Sequence, residues 1–415
     1  MFGDPFGELF QFIDRKLVSP DRTATGIEEK FMKEKFIEMK PIYDIVIDYI
    51  IAKDGVLYGG FALNELLPNE LKFYDKFTLP DYDCFLKDAS KKAIELADIL
   101  IDKNHKYTEV KNAIHENTFK IFTNFESVAD FTQLNKDELD LILKKAVPLN
   151  YDGNRKIKVC SKDLLKAFAY IELCSPMSAS YRWIKVYKRL LLFENTFELQ
   201  SSSTDSIDEV IQEQTKLDEK YYDLYSQMKK YLVKQGVVFS GFYSLQKHLN
   251  KNYDKGAKYM EVLSYKPEKD LDNIIKIAHE KGFTDVKVVT NKKYDHLIPV
   301  HVDIYVNDGS SKKYVKVLTI YDTSNQCFAY LKDNNKLVTS IFFELYKLYM
   351  KRFMNDTQDD KLDLLIQYLV HVSSSIDFKN GFTEHCYGYS KSMNSIKKSI
   401  WDKNKKIVLY RPKRQ

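Results

Sequence analysis

The sequence is short of the features that mark an exported, zinc-stapled or membrane-embedded chain. Its five cysteines (Cys84, Cys160, Cys174, Cys327 and Cys386) are odd in number and scattered, with no C-x-x-C pair. That pattern predicts a reducing compartment and excludes a zinc knuckle. The eight histidines include no H-E-x-x-H. Nowhere is there a run of about 18 uncharged apolar residues, the length a membrane-spanning helix needs. Even the richest stretch, Tyr43 to Leu63, is broken by Asp48, Lys53 and Asp54, so no membrane partner is expected. The opening MFGDPFGELFQFIDRK carries acids where an export signal needs a basic region followed by an apolar one. What is present, 415 residues with 44% hydrophobic and 30% charged, suits two or three compact domains with cores of their own.

The net charge of +5 is unevenly spread. Between Lys391 and Gln415 nine bases (Lys391, Lys397, Lys398, Lys403, Lys405, Lys406, Arg411, Lys413 and Arg414) face Asp402 alone, which makes this tail +8 and the rest of the chain −3. Trp401 and Tyr410 lie among the bases. Such a tail can follow a polyanion backbone by charge and stack on its bases, or simply be a solvated end.

Two stretches repeat. Gly55-Val-Leu-Tyr-Gly-Gly-Phe61 aligns with Gly236-Val-Val-Phe-Ser-Gly-Phe242 at an offset of 181. Each copy follows an amphipathic helical pattern (Ile27 to Lys53, Ile207 to Gln235). Each precedes a short helical run, a strand-like stretch and a lysine-rich helix (Ala89 to Lys103, Pro267 to Lys281). A polar run, Gln200 to Ser206, has linker composition. The expected organisation is 1–199, a first domain with N-terminal helices; 200–206, a linker; 207–390, a second copy; and 391–415, the basic tail. The expected fold class is α+β, each unit a mixed sheet flanked by helices.

Chemistry concentrates in the first copy. Val56 to Tyr58 is β-prone, Gly59-Gly60 permits a tight turn, and Phe61 onward has helical periodicity. A strand, two glycines and a helix start make a phosphate cradle, because backbone N–H groups point outward and no Cβ blocks approach. Asp81 and Asp83, at i and i+2, predict one strand face carrying two like charges that need a positive partner, of which a divalent metal is the usual one. Asp130 lies in an apolar strand pattern, Ser127 to Thr132, where an unpaired carboxylate is costly. Three carboxylates beside such a turn suit two-metal, in-line phosphoryl transfer. In Ser180 to Arg189 the bases Arg182, Lys185 and Arg189 share one helical face, able to hold a triphosphate or an RNA backbone, while Trp183 and Tyr187 are expected to pack inward.

The pattern Gly-Gly, Asp-x-Asp and a later strand aspartate resembles the DNA polymerase β-like nucleotidyltransferases. The wording Tyr-Gly-Gly-Phe-Ala-Leu-Asn64, Leu-Pro-Asp-Tyr-Asp83 and Tyr181-Arg-Trp-Ile-Lys-Val-Tyr-Lys-Arg-Leu190 is similar to the poly(A) polymerase catalytic subunit of giant viruses, relatives of the poxvirus enzyme. The resemblance implies template-independent addition of AMP from ATP to the 3′ end of viral mRNA, with two ions, Mg2+ or Mn2+, on Asp81, Asp83 and Asp130. It also implies nucleotide contacts by Gly59, Gly60, Asn64, Arg182 and Lys185, and RNA contacts by Lys397, Lys398, Lys405, Lys406 and Arg411. A homodimer, a viral capping or methyltransferase partner, and a place in the viral factory of the host cytoplasm or in the virion belong to the same implication. CCA addition, oligoadenylate synthesis and a non-catalytic RNA-binding processivity factor are the alternatives.

In the second copy Glu261-Val-Leu263 is expected to stand where Asp81-Tyr-Asp83 stands in the first, with Asp303 in the place of Asp130. One surviving carboxylate of the pair cannot hold two metals, so this half reads as a scaffold that resembles the inactive nucleotidyltransferase-like domain of the same family.

Overall fold

The computed structural model describes residues 5–113, 115, 117–176, 180–213, 218–251, 257–307, 309, 313–324, 326–375, 387 and 409–410, with side chains from Thr23 onward except at Leu409. In chain order the elements begin with α1 (Pro5–Ala52), β1 (Val56–Tyr58), α2 (Gly59–Leu66), β2 (Tyr82–Phe85), α3 (Ala89–Asp102), β3 (Glu109–Asn112), β4 (Thr118–Thr123) and β5 (Glu126–Thr132). Next come α4 (Lys136–Lys145), β6 (Val147–Tyr151), β7 (Arg155–Val159), α5 (Lys162–Leu173), α6 (Trp183–Thr196), α7 (Ile207–Gln212), α8 (Tyr222–Gln235), β8 (Val238–Ser240) and α9 (Phe242–His248). The series closes with β9 (Met260–Ser264), α10 (Pro267–Glu280), β10 (Asp285–Asn291), β11 (His301–Asn307), β12 (Val315–Asp322), β13 (Tyr330–Asp333), β14 (Lys336–Thr339), α11 (Ile341–Met354), α12 (Asp360–Ser374) and β15 (Leu409–Tyr410).

The strands form two mixed sheets. One has eight strands in the order β15-β3-β4-β5-β2-β1-β7-β6, the other seven in the order β10-β11-β12-β9-β8-β14-β13. With the two-residue edge strand β15 set aside, the orders match strand for strand, so the repeat seen in seven residues extends through both sheets. In each, the strand before the glycine turn is antiparallel to the next (β1 to β2, β8 to β9), and that strand is parallel to a third (β2 to β5, β9 to β12). The α+β class with two like units is therefore the observed one.

The compact units divide differently from the expected boundaries. One comprises 1–133, 149–158 and 407–415; the other comprises 134–148 and 159–406. Helices α5 and α6, which precede the polar run at 200–206, belong to the second. Their partners explain this: α5 stacks Tyr170 on Tyr349 of α11, with ring centroids 5.7 Å apart. Of the basic tail, only Leu409 and Tyr410 are described; Lys397, Lys398, Lys405, Lys406 and Arg411 lie outside the described residues. The amphipathic pattern at Ile27 to Lys53 is part of the longer α1, whose Met39, Ile42, Tyr43, Val46, Ile47 and Ile50 are buried at helical spacing. Cys84, Cys160 and Cys174 are buried and free, whereas Cys327 is disulfide-bonded. That bond departs from the fully reduced set expected from spacing, because spacing does not say which thiols a fold brings together. Among the described residues no helix is long and apolar enough to cross a membrane.

The second unit buries an ion pair. Lys166 of α5, 1% exposed, donates to Glu194 of α6 at 2.5 Å and to the Phe197 carbonyl at 2.8 Å. Tyr170 and Tyr349 donate to the same carboxylate at 3.0 and 2.8 Å. Every charge is thus met by hydrogen bonds, the condition under which a buried pair is tolerated. Lys166→Ala leaves Glu194 uncompensated and should cost roughly 3–5 kcal/mol in urea unfolding, while Lys166→Met combined with Glu194→Gln should recover most of that loss.

Candidate active site

Gly59 opens α2 with φ +69, and its N-cap, Tyr58, provides no side-chain hydrogen bond to the helix start. The helix start is thus not capped by the side chain of the residue before it. Glycine is also required sterically: a Cβ at residue 59 would lie 2.1 Å from Oδ2 of Asp83. Asp83 is brought there by register, since Tyr58 pairs with Asp83 across β1 and β2. The carboxylate consequently occupies the space over the turn that a side chain would otherwise fill.

The parallel pairing of β2 with β5 sets Asp83 beside Asp130, and neighbouring strands in register point such residues to one face. Asp81 lies one residue ahead of β2 rather than within it. It is held from behind by α1: the Tyr43 hydroxyl donates to the Leu79 carbonyl at 3.0 Å and to the Ser127 carbonyl at 3.3 Å, tying the segment before Asp81 to β5. On the same face the Tyr58 and Thr132 hydroxyls meet at 2.9 Å, and Thr132 meets Thr118 at 2.9 Å.

A fourth residue completes the cluster, and the motif reading did not single it out. Lys120 of β4 pairs with Asp130 across the antiparallel ladder. Its Nζ lies 2.6 and 2.5 Å from the two Asp130 oxygens and 3.8 Å from Oδ2 of Asp81. Burial pushes the Asp130 carboxyl above its usual range against the pull of Lys120, and Asp81 pushes it the same way. The cluster thus contains three carboxylates and one ammonium, a local excess of negative charge that an added cation relieves. Its donors are all carboxylate oxygens, the set that suits Mg2+ or Mn2+. Lys120 acts as a resident cation for two of the three carboxylates, Asp130 and Asp81. The residues present fit divalent ions.

Asn64 has a different task from the expected one. It is 4% exposed, its Oδ1 accepts the backbone N–H groups of Phe73 and Tyr74 at 3.0 Å each, and its amide donates to Glu65. It anchors the loop after α2. Arg182 and Lys185 belong to the second unit, Arg182 just before α6 and Lys185 in its first turn, and both are exposed. Burial raises the Glu172 carboxyl, and Arg182, Arg189 and Lys185 oppose the rise. Arg182 approaches Glu172 to 3.2 Å. Trp183 is half-buried, its indole N–H donating to the Glu172 carbonyl at 3.0 Å.

Among the described residues, the group of three carboxylate and imidazole side chains drawn within 4.8 Å of one another is Glu138, Asp295 and His296. Glu138 accepts the His296 N–H at 2.8 Å, the His296 ring at 2.9 Å and the Asn135 N–H at 3.2 Å. Those bonds make it a helix cap fastened to a loop.

The second copy corrects two sequence expectations. Ser240 pairs with Glu261 as Tyr58 pairs with Asp83, and Gly241, with φ +61, has Glu261 Oε1 2.7 Å from where its Cβ would lie. Glu261 is therefore the counterpart of Asp83, not of Asp81. Glu261 pairs with Thr319 in β12, so Thr319 holds the place of Asp130. Asp303 pairs with Thr319 from β11, which is the Lys120 position, and its own cation is Lys316 at 2.7 Å.

A strand, a glycine turn and carboxylates on two parallel neighbours thus make up the candidate site of the first unit. Residues 44–179, about a third of the chain, match the family described as "Poly(A) polymerase catalytic subunit". An African swine fever virus protein (isolate Tick/Malawi/Lil 20-1/1983), named "Putative poly(A) polymerase catalytic subunit", is 32% identical over 143 residues, 34% of this chain and 28% of that protein. A protein of the same name from Acanthamoeba polyphaga mimivirus is 29% identical over 127 residues, 30% of this chain and 22% of its own length. The matched stretch thus spans under a third of these relatives. The crystal structure of the Megavirus polyadenylate synthase superposes on all of this chain and 87% of its own at a TM-score of 0.72 and 19% identity, which establishes the shared fold. The resemblance to the giant-virus poly(A) polymerase catalytic subunit is borne out over residues 44–179.

Gly59→Ala should be costly, because a left-handed φ alone costs about 1–2 kcal/mol for a residue with a Cβ and Asp83 must also move. Gly26→Ala, with nothing within 4 Å of the added carbon, is the control. Thermal unfolding should show a drop of several degrees for the first and none for the second.

Proposed function

We propose that the chain is a template-independent polynucleotide adenylyltransferase that transfers AMP from ATP to the 3′ end of RNA. The observation that carries this reading is the cluster of Asp81, Asp83 and Asp130 around a glycine turn, in a stretch that matches the poly(A) polymerase catalytic subunit. Asp81, Asp83 and Asp130 would hold two divalent ions, Mg2+ or Mn2+. Bound there, the ions would lower the pKa of the attacking RNA hydroxyl and neutralise the departing pyrophosphate. The Gly59-Gly60 turn offers backbone N–H groups to the triphosphate, and Tyr43 fixes the segment that carries Asp81. Lys120 keeps the Asp130 and Asp81 carboxylates oriented and offsets their repulsion. Arg182 and Lys185 supply a basic face for triphosphate or RNA, and the second copy serves as scaffold. A homodimer and a viral capping or methyltransferase partner are part of the same proposal, as is action in the host cytoplasm.

Primer extension with each nucleoside triphosphate, on an A-tailed and an unrelated RNA, tests the reading. ATP alone should give long homopolymer tails. Addition of a short C-C-A end, RNA-independent oligoadenylate or no product would each reject it. Asp81→Ala and Asp83→Ala should each lower the rate at least a hundredfold, a loss of about 2.7 kcal/mol, with circular dichroism unchanged. The basic tail should govern RNA affinity. Replacing Lys397, Lys398, Lys405, Lys406 and Arg411 by Gln should flatten the salt dependence of single-strand RNA binding by up to about 3.5 in log–log slope if all five meet phosphates. The rate at saturating RNA should stay within a few fold.

A further inference from the structure

In the first unit the Asp83 carboxylate lies over a glycine turn. In the second unit the same turn is already filled. The Gly241 N–H donates to Oε1 of Glu344 at 3.1 Å, the Ser240 hydroxyl donates to the same oxygen at 2.7 Å, and the Thr339 hydroxyl donates to it as well. Lys347, one turn further along α11, donates to Glu261 Oε2 at 2.5 Å and to Ser240 Oγ at 2.7 Å, and lies 3.4 Å from Glu344 Oε2. Tyr321 donates to Glu261 at 3.2 Å. Side-chain exposure is 2% for Glu344, 13% for Lys347 and 17% for Glu261.

We infer that the second unit retains a phosphate-and-cation site occupied by its own side chains, with the Glu344 carboxylate in the place of a phosphate oxyanion and the Lys347 ammonium in the place of the cation. The order of contacts supports this: strand carboxylate, cation, anion, turn N–H. That is the sequence of charges a nucleotide phosphate and its counter-ion make at such a turn. Counting from the helix N-caps Ser161 and Ser340, each of which accepts from the N–H three residues on, the first copy has Cys160, Leu165 and Phe168 where the second has Thr339, Glu344 and Lys347. The anion, the cation and the hydroxyl that braces them are thus confined to the second copy. Burial works to discharge Lys347, but Glu261 and Glu344 outweigh it and keep it charged. A buried ammonium between two carboxylates leaves no room for a ligand, so this half stays folded without one.

Removing either stand-in should reopen its half of the site in the full-length chain. The cation arm carries Asp81→Ala and Asp83→Ala in every sample, so that the first unit contributes no metal. Electron paramagnetic resonance titration with Mn2+ should then show one further bound ion per chain in Lys347→Ala, lost again when Glu261→Ala is added. Thermal unfolding of Lys347→Ala should be lowered in EDTA and raised by Mn2+. In the anion arm, pyrophosphate without metal should raise the unfolding temperature of Glu344→Ala by more than it raises that of the parent. Variants that fold yet bind neither probe would overturn the inference. So would a parent chain whose amides around Ser240 and Gly241 are broadened by Mn2+ in NMR spectra, a measurement that needs no variant to fold. A Lys347→Ala chain that folds only with Mn2+ would support it.

Discussion

The approach of Asp83 to Gly59 is the constraint on which the first unit is organised. A carboxylate can lie over the turn only because residue 59 has no Cβ and takes a positive φ, and it arrives there only because β1 and β2 pair Tyr58 with Asp83. From that register follow the neighbours: Asp130 beside Asp83 on β5, Lys120 beside Asp130 on β4. A slip of one residue in any of these pairings would turn the charges to the opposite face of the sheet. Tyr43 guards against that slip from α1 by binding carbonyls on both sides of the cluster.

The two copies solve one electrostatic problem in different ways. Each has a carboxylate pressed against a glycine turn. The first gathers three carboxylates around one ammonium, with Lys120 shared between Asp81 and Asp130. The second matches its charge within the chain, through Lys347 at Glu261 and Lys316 at Asp303. Unmatched charge is what a ligand-binding site needs, and matched charge is what a scaffold tolerates.

Much of this was legible in the residues themselves. The glycines, Asp83, Asp130, the repeat and the lysine-rich helices α3 and α10 all carry local signatures, of turn chemistry, charge spacing or helical period, and each lies where those signatures place it; Asp81 falls one residue short of the strand that its spacing from Asp83 predicts. Three things were not legible. Lys120 looks like any lysine in an alternating strand until the register sets it against Asp130. Glu261 and Asp303 were misplaced because the equivalence of the copies is defined by pairing across strands, and loops of unequal length shift the numbering between them. Asn64 reads as a ligand contact beside two glycines, yet its burial commits it to the backbone of Phe73 and Tyr74. The division at 200–206 followed composition, whereas α5 and α6 follow their packing partners.

The parallel pairing of β2 with β5 has a kinetic side. Asp83 and Asp130 become neighbours only when the chain between them, which carries α3, β3 and β4, has folded back, because parallel strands cannot be joined by a tight turn. Asp83 and Asp130 are thus brought together by one of the longer loop closures of the first sheet, a kind of step that pairing of distant strands makes slow. A chain still emerging from the ribosome would have its glycine turn and its first two aspartates, but no third carboxylate beside them. The three-carboxylate cluster would therefore arrive only with the finished sheet, since β5 lies between β4 and β2 and carries the buried Val128, Ala129 and Phe131.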